Sequence, residues 1–379
     1  MRVGHLMKYY LGQSETFVWQ YLHAFKEIYP VVLAYNLKNI SQFPLPNGRI
    51  RLLSGHRGSL PWIMDNFYKR LWNKPFGLAE RIIRKENIAI IHAHSGFYGA
   101  HFLPLLDNFS LPFVTTFYGM DLSRHDVISA YKKLYRDLFD RGHLFLVEGS
   151  HMKIQLMELG CPENKIGIQR IAIDLRNYDF RERTWDCKRP VHFLFIGRFV
   201  EKKGLEYALK ALAIIKESFP IDFHIIGDGD LFDEMQCLSR ELELTNYLHW
   251  HGMLPHYRVI EEIKKCDILI QPSVTAQDGD SEGGAPTVLL EAQACGVPIV
   301  STTHADIPNS TDPGLSALLS PERDVSDLAD NVRFLLENPD QWTTMGRHGR
   351  AYIERYHDVE TEVGTLTDKY HKLLQGGKS

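Results

Sequence analysis

The chain has 379 residues, 44% of them hydrophobic and 24% charged. That excludes a disordered or fibrous class and exceeds what one core ordinarily organises, so two domains are expected. The net charge of −4 is divided unevenly, with +8 over residues 1–185 and −12 over the rest. A basic first half suits an anionic acceptor, an anionic membrane surface or nucleic acid, unless the split is incidental drift between domains.

No apolar run approaches the roughly 18–20 residues of a membrane span, and the first residues read as a strand rather than a signal peptide. A cytoplasmic location is therefore expected, peripheral to the membrane if the basic half docks there. The five cysteines, Cys161, Cys187, Cys237, Cys266 and Cys295, form no CxxC pair, so neither a zinc site nor a disulfide framework is indicated.

In chain order, strand-like runs at 1–6, 31–35, 88–92, 113–117, 144–147 and 166–169 alternate with helical patterns at 15–29, 129–139 and 151–159. This alternation predicts a parallel sheet with crossover helices. An aromatic–basic stretch lies within this first set, and a polar stretch follows it. The first, residues 60–74, combines Trp62, Phe67, Leu71 and Trp72 with Lys69, Arg70 and Lys74; it fits a membrane-interface segment or a core-facing helix with exposed cations. The second, residues 174–190, reads as a linker. The alternation restarts with strands at 191–196, 221–226, 247–251, 267–271 and 297–301, and helices at 204–218, 231–243, 256–265 and 287–295. Helices at 326–337, 341–355 and 359–374 close the series. The expected organisation is a first domain over 1–175, a second over 190–356, and a final helical segment, 357–379, crossing back to the first.

Two segments carry chemistry. In Ile196-Gly197-Arg198-Phe199-Val200-Glu201-Lys202-Lys203-Gly204 a strand ends, a basic loop follows and a helix begins. Glycine admits a ligand close to the backbone, the helix start offers unpaired amides, and Arg198 and Lys203 suit a diphosphate; a solvated basic turn is the plainer alternative. In Asp280-Ser281-Glu282-Gly283-Gly284-Ala285-Pro286-Thr287-Val288-Leu289-Leu290-Glu291 a glycine pair again precedes a helix. A loop carboxylate at Glu282 and a helix carboxylate at Glu291 can accept hydrogen bonds from two polyols.

This ordered pair resembles the retaining glycosyltransferases of family 4. So do Ser14-Glu15-Thr16-Phe17, Ile225-Ile226-Gly227-Asp228-Gly229, Trp250-His251-Gly252-Met253-Leu254-Pro255-His256, Leu269-Ile270-Gln271-Pro272-Ser273 and Pro321-Glu322-Arg323-Asp324, each at its expected place along essentially the whole chain. The resemblance implies an α/β GT-B fold, two Rossmann-like domains facing each other across a cleft. It implies transfer of a hexose with retention from a UDP- or GDP-sugar, the donor being substrate rather than cofactor, to a glycan or lipid-linked acceptor in surface-polysaccharide or glycolipid assembly, without nucleic acid or metal. By position, Arg198 and Lys203 would hold the leaving diphosphate. Glu282, Gly283, Gly284 and Ala285 would meet the donor sugar and phosphates, with Pro286 and Thr287 at the helix start. Glu291 would bind the ribose, Gly197 would line the diphosphate loop, and Gly227, Gly229, Met253 and Leu254 would lie against base and ribose.

Gly12, His94, Tyr118 and Asp121 are the candidates on the acceptor side. His92 and His94 share a strand face at i, i+2, a spacing open to a metal pair but with no third ligand nearby in sequence. The chain departs from the family pattern twice. Eight residues rather than seven separate Glu282 from Glu291, and Tyr118 stands where the family often has a histidine. The stretch 252–258 contains no carboxylate, which leans toward uridine over guanine. Two other readings are a non-catalytic nucleotide-sugar-binding subunit and a GT-B epimerase or phosphorylase.

Overall fold

A computed structural model describes residues 1–12, 15–46, 48–53, 58, 63 and 77–376. Of the aromatic–basic stretch only Ile63 falls among them, and Ser14 also lies outside the described residues.

The first sheet has seven parallel strands: β1 (Arg2–Tyr10), β2 (Tyr29–Leu37), β3 (Ile50–Leu52), β4 (Ile90–His94), β5 (Phe113–Thr116), β6 (Leu144–Val147) and β7 (Ile166–Ile168). They run in the order β3-β2-β1-β4-β5-β6-β7. The second has six, β8 (Val191–Ile196), β9 (Ile221–Ile226), β10 (Leu248–Gly252), β11 (Ile268–Gln271), β12 (Ile299–Thr302) and β13 (Ala317–Ser320), in the order β10-β9-β8-β11-β12-β13. The central strands are buried along their length, as in Ile268–Gln271 and Ile299–Thr302, because crossover helices cover both faces of a parallel sheet. In each sheet the strand order reverses beside the first strand of its set. At such a switch point two crossovers leave in opposite directions and open a crevice outside the strand C-termini. The crevices lie at the ends of β1 and β4 in one sheet and of β8 and β11 in the other.

The helix Val359–Gly376 returns to the first sheet. Val359, Val363, Leu366 and Tyr370 pack with Val3, Ile90, Val114 and Leu146. Among the described residues, no helix is long and apolar enough to cross a membrane.

Strands expected at 144–147, 191–196 and 221–226 form over those residues. The helix expected at 15–29 stops at Ala24, since Phe25 is extended and Tyr29 already pairs with Arg2 in the first sheet. Strands β3 and β13 and the helices Gly77–Lys85 and Gly96–Phe102 were not expected.

The two halves meet through backbone. A Cβ on Gly283 would lie 2.1 Å from Cα of Gly119, and one on Gly149 would lie 2.3 Å from the Asp306 carboxyl. Asp306, beyond β12, accepts from the amides of His151 at 2.9 Å and Met152 at 3.2 Å. These are the second and third residues of the helix Ser150–Glu158, whose own preceding residue, Gly149, offers no capping side chain. One half of the molecule thus caps a helix of the other, as an N-cap carboxylate does within a single helix. Asp306→Ala is expected to cost about 1 kcal/mol. Thermal unfolding should register this as a Tm lower by ~2–4 °C; an unchanged Tm would mean the cap contributes nothing.

Candidate functional site

At the end of β8 the chain turns through Gly197 and a short 3-10 turn, Glu201–Lys203, into the helix Leu205–Ile215. Gly227, at the end of neighbouring β9, has φ +143°, and a Cβ there would lie 1.8 Å from the Gly197 carbonyl. Only glycine lets these two strand ends close on each other. Gly229 continues the turn, its amide donating to the Asp228 carboxylate at 2.8 Å. Arg198 projects into solvent, and among the described residues its guanidinium has no hydrogen-bond or ion-pair partner.

Lys203 and Glu282, expected separately at the donor, are a buried ion pair. Lys203 Nζ donates to Glu282 Oε2 at 2.8 Å, with side-chain exposures of 15% and 6%. Burial would raise the Glu282 carboxyl, but Lys203 and Lys202 outweigh it and hold it below the usual range. Ser273 Oγ donates to the other oxygen at 2.9 Å. Lys202 is buried too and pins the same loop through Asp280 and the Ser281 carbonyl. The Glu282 amide donates to His304 Nε2 at 3.0 Å, and His304 Nδ1 lies 2.6 Å from Glu322. With Nε2 accepting from the Glu282 amide, Nδ1 is the nitrogen that can donate to Glu322. Burial opposes ionisation of Glu322, yet bonds from His304 and the Thr275 amide bring its carboxyl to about 2.

Gly283, Gly284 and Ala285 lead through Pro286 into the helix Thr287–Ala294. A Cβ on Gly284 would fall 1.5 Å from Glu148 Oε2. Glu148, just beyond β6 of the first sheet, is buried and accepts from the Ala285 amide. Burial first, then the carboxyls of Asp306, Asp121 and Glu282, raise its pKa well above the usual value.

Glu291, on the buried side of the helix, accepts at Oε1 from Tyr178 Oη at 2.9 Å, and His256 Nε2 lies 2.8 Å away. Burial would lower the His256 pKa, but Glu291 raises it on balance. Met253 is exposed at the rim, and Leu254 is partly buried against the second core.

Across the interface, His94 Nε2 lies 3.0 Å from His5 Nδ1, and His94 Nδ1 lies 2.6 Å from Tyr118 Oη. Burial lowers the His94 pKa to about 3 and the His5 pKa well below 6.5. His92 and His94 do share a face, with ring centroids 4.6 Å apart, and His5 of β1 joins them opposite His92. Neighbouring strands thus supply the third imidazole that the local sequence lacks. The trio does not fit a metal, because His92 meets Tyr370 Oη at Nδ1 and Thr116 Oγ1 at Nε2, both at 2.6 Å. The Gly12 amide donates to Glu15 at 2.6 Å.

The Asp121 carboxylate is likewise turned inward, accepting from the amides of Gly96 at 2.7 Å and of Tyr118 and Gly119 at 3.1 Å. It shapes the loop after β5 from beneath. The site thus adds Glu148, His304, His5 and Tyr178, none of which sits in a local motif that would have marked it, and Lys202, Glu322 and His256, which lie inside quoted motifs but were not singled out there.

Asp121 yields a pH signature. Burial raises its pKa to about 6 against the amide bonds that lower it, compared with ~3.9 in an unfolded chain. Folding therefore takes up a proton here, and the stabilisation is complete below pH ~4 and lost as pH rises through 6. The Tm of wild type minus that of Asp121→Asn should fall from pH 4 to pH 7; a difference that rises over that range would contradict this assignment.

The comparisons with known proteins agree with this geometry. A model described as Glycosyltransferase Family 4 matches residues 31–177, and one described as Glycosyl transferases group 1 matches residues 180–352. The chain is 32% identical over 263 residues to WcaL of Escherichia coli K12, named for colanic acid biosynthesis, covering 69% of this chain and 63% of WcaL. To the amylovoran biosynthesis glycosyltransferase AmsK of Erwinia amylovora it is 34% identical over 217 residues, covering 57% of this chain and 53% of AmsK. The chain thus spans between half and two-thirds of the length of these curated relatives. Among solved structures, HepE of Anabaena in complex with UDP superposes with a TM-score of 0.78 at 14% identity, covering 98% of this chain and 99% of that one. Sucrose-phosphate synthase from Thermosynechococcus elongatus superposes with a TM-score of 0.77 at 16% identity, covering 99% of both chains. With two facing Rossmann-like sheets and both halves matched in order, the chain belongs to the glycosyltransferases of group 1 and family 4, with the GT-B fold.

Proposed function

We propose that the protein is a retaining glycosyltransferase that moves a hexose from a UDP- or GDP-sugar onto a glycan or lipid-linked acceptor, in surface-polysaccharide or glycolipid assembly. The observation that carries this reading is Arg198, exposed and without a partner among the described residues, on the same loop as Lys203 of the Lys203–Glu282 pair, at the switch point of the second sheet. AmsK supports the polysaccharide setting by its name. HepE, solved with UDP and with UDP-glucose, supports a uridine donor. The 1–175 and 190–356 units are proposed as the acceptor and donor domains.

In this mechanism Arg198 grips the donor diphosphate from the solvent side and Lys203 from within. Both act most strongly as the glycosidic bond breaks and negative charge gathers on the leaving phosphate. Glu282 holds Lys203 in place and faces the sugar, and Glu291, oriented by Tyr178 and His256, takes the ribose hydroxyls. Amides at the start of the helix Thr287–Ala294 add fixed positive dipoles. The acceptor attacks from the face the phosphate leaves, and the departing phosphate oxygen takes its proton, so configuration is retained. Cationic side chains supply the charge stabilisation that a metal gives elsewhere. His94, Tyr118 and Gly12 border the acceptor, and the basic half rests on an anionic membrane surface.

A second reading, a nucleotide-sugar-binding subunit without turnover, draws on Glu148, whose carboxyl already occupies the Ala285 amide. Turnover separates the two. Arg198→Ala and Lys203→Ala should each lower turnover about 10²-fold through lost stabilisation of the leaving diphosphate; near-normal turnover in both removes the clamp from the mechanism. In a thermal-shift panel of UDP-, GDP-, ADP- and dTDP-sugars, the matched donor at 100 times its Kd should stabilise by about 2.7 kcal/mol. Absence of any shift would overturn the donor assignment.

A further inference from the structure

The second sheet carries a cluster of metal-ligating side chains at its opposite end from the donor loops. Strands β9 and β10 run side by side with His224 opposite His249. Asp222 and His224, two residues apart on β9, project from one face, while Phe223 and Ile225 between and beyond them enter the core. We propose that Asp222, His224 and His249 form a binding site for a zinc-class divalent cation on this edge of the sheet.

The donor atoms already converge. His224 Nε2 lies 3.1 Å from Asp222 Oδ2, and His249 Nε2 lies 2.8 Å from Asp222 Oδ1. One ligand atom from each of the three lies within 4.8 Å of the others. Ligands bound to zinc at about 2.0–2.2 Å in a tetrahedron stand a little over 3 Å apart, so the cation needs only a slight opening of the group. His224 Nδ1 is 2.8 Å from His251 Nε2, so a cation on Nε2 leaves Nδ1–H a partner to donate to. Metal-bound histidines ordinarily have their second nitrogen engaged in this way.

Two imidazoles and one carboxylate favour zinc over magnesium or calcium, which prefer all-oxygen shells. The site is open, since the His249 side chain is 54% exposed, leaving room for a water ligand. His192 and Glu262 form a deeper set with the same His224. In that set Glu262 is held by Lys265 at 2.7 Å, which makes the outer trio the better ligand group. The trio lies toward the starts of β9 and β10, whereas Gly227 and Gly252 mark their ends at the donor side. A cation here ties the edge strand β10 to β9 and takes no part in sugar transfer.

The test is equilibrium dialysis of the tag-free full chain against zinc, with metal analysis and thermal unfolding. The expected result is roughly one tightly held zinc per chain, with a Tm raised by zinc but not by magnesium. His224→Ala, His249→Ala and Asp222→Asn should each weaken binding at least ~10-fold, and His251→Ala, through orientation alone, by ~10–100-fold, with circular dichroism unchanged. EDTA should lower the Tm of zinc-loaded protein while leaving turnover intact, so failure of this site and failure of the transferase reading are read separately. No retained zinc, or zinc binding indifferent to all four substitutions, would overturn the proposal and leave an aspartate bridging two histidines.

Discussion

Everything at the interface between the two halves depends on how closely their backbones approach at Gly119 and Gly283. With a Cβ on Gly283 only 2.1 Å from the opposing Cα, no side chain fits between them and solvent is squeezed out. The approach gathers the carboxyls of Asp121, Glu282 and Asp306 around Glu148, where they add to the burial that opposes its ionisation. Each copes differently. Glu282 has Lys203 and Lys202 close by and stays below its ordinary pKa. Asp306 faces two helix amides. Asp121 has only amides and rises to about 6. Glu148, with one amide and three acidic neighbours, rises furthest from its ordinary value.

The cations of the second half thus have structural work before any ligand arrives. A buried ion pair is a weak source of stability, because desolvation offsets most of the attraction. The Lys203–Glu282 pair is better understood as a means of fixing where a positive charge sits. Lys202 then fixes the loop that carries the negative partner. Arg198, on the same loop as Lys203, is exposed and has no hydrogen-bond or ion-pair partner among the described residues.

Legibility in the sequence followed burial and locality. Strands such as Val191–Ile196 and Ile221–Ile226 could be read to the residue because apolar runs with turn signals on both sides leave little choice. Ile50–Leu52 escaped because three half-buried residues make no pattern. The helix at Thr16–Ala24 was read too long because the apolar spacing continues past Phe25, while pairing with β1 claims Tyr29 onward. At the site, glycine-rich loops announced themselves through composition. Lys203 and Glu282 were recognised as residue types, but not as partners, since 79 positions separate them. His5, 89 residues from His94, became visible only when β1 lay beside β4. Asp121 showed the opposite gap, with its presence legible in the chain and its inward direction set by Gly96 and Gly119.

The helix Val359–Gly376 has a bearing on how the molecule is made. Its residues Val363, Leu366 and Tyr370 cover the face of the first sheet formed by Val3, Ile90, Val114 and Leu146, and Tyr370 meets His92 in the middle of that sheet. During synthesis on the ribosome the sheet emerges long before its cover. An apolar face waits while the whole second sheet is translated, and transiently exposed faces of that kind are what chaperones bind. The half of the protein that is made first is therefore finished last, and its completion is tied to successful passage of the second half through the exit tunnel.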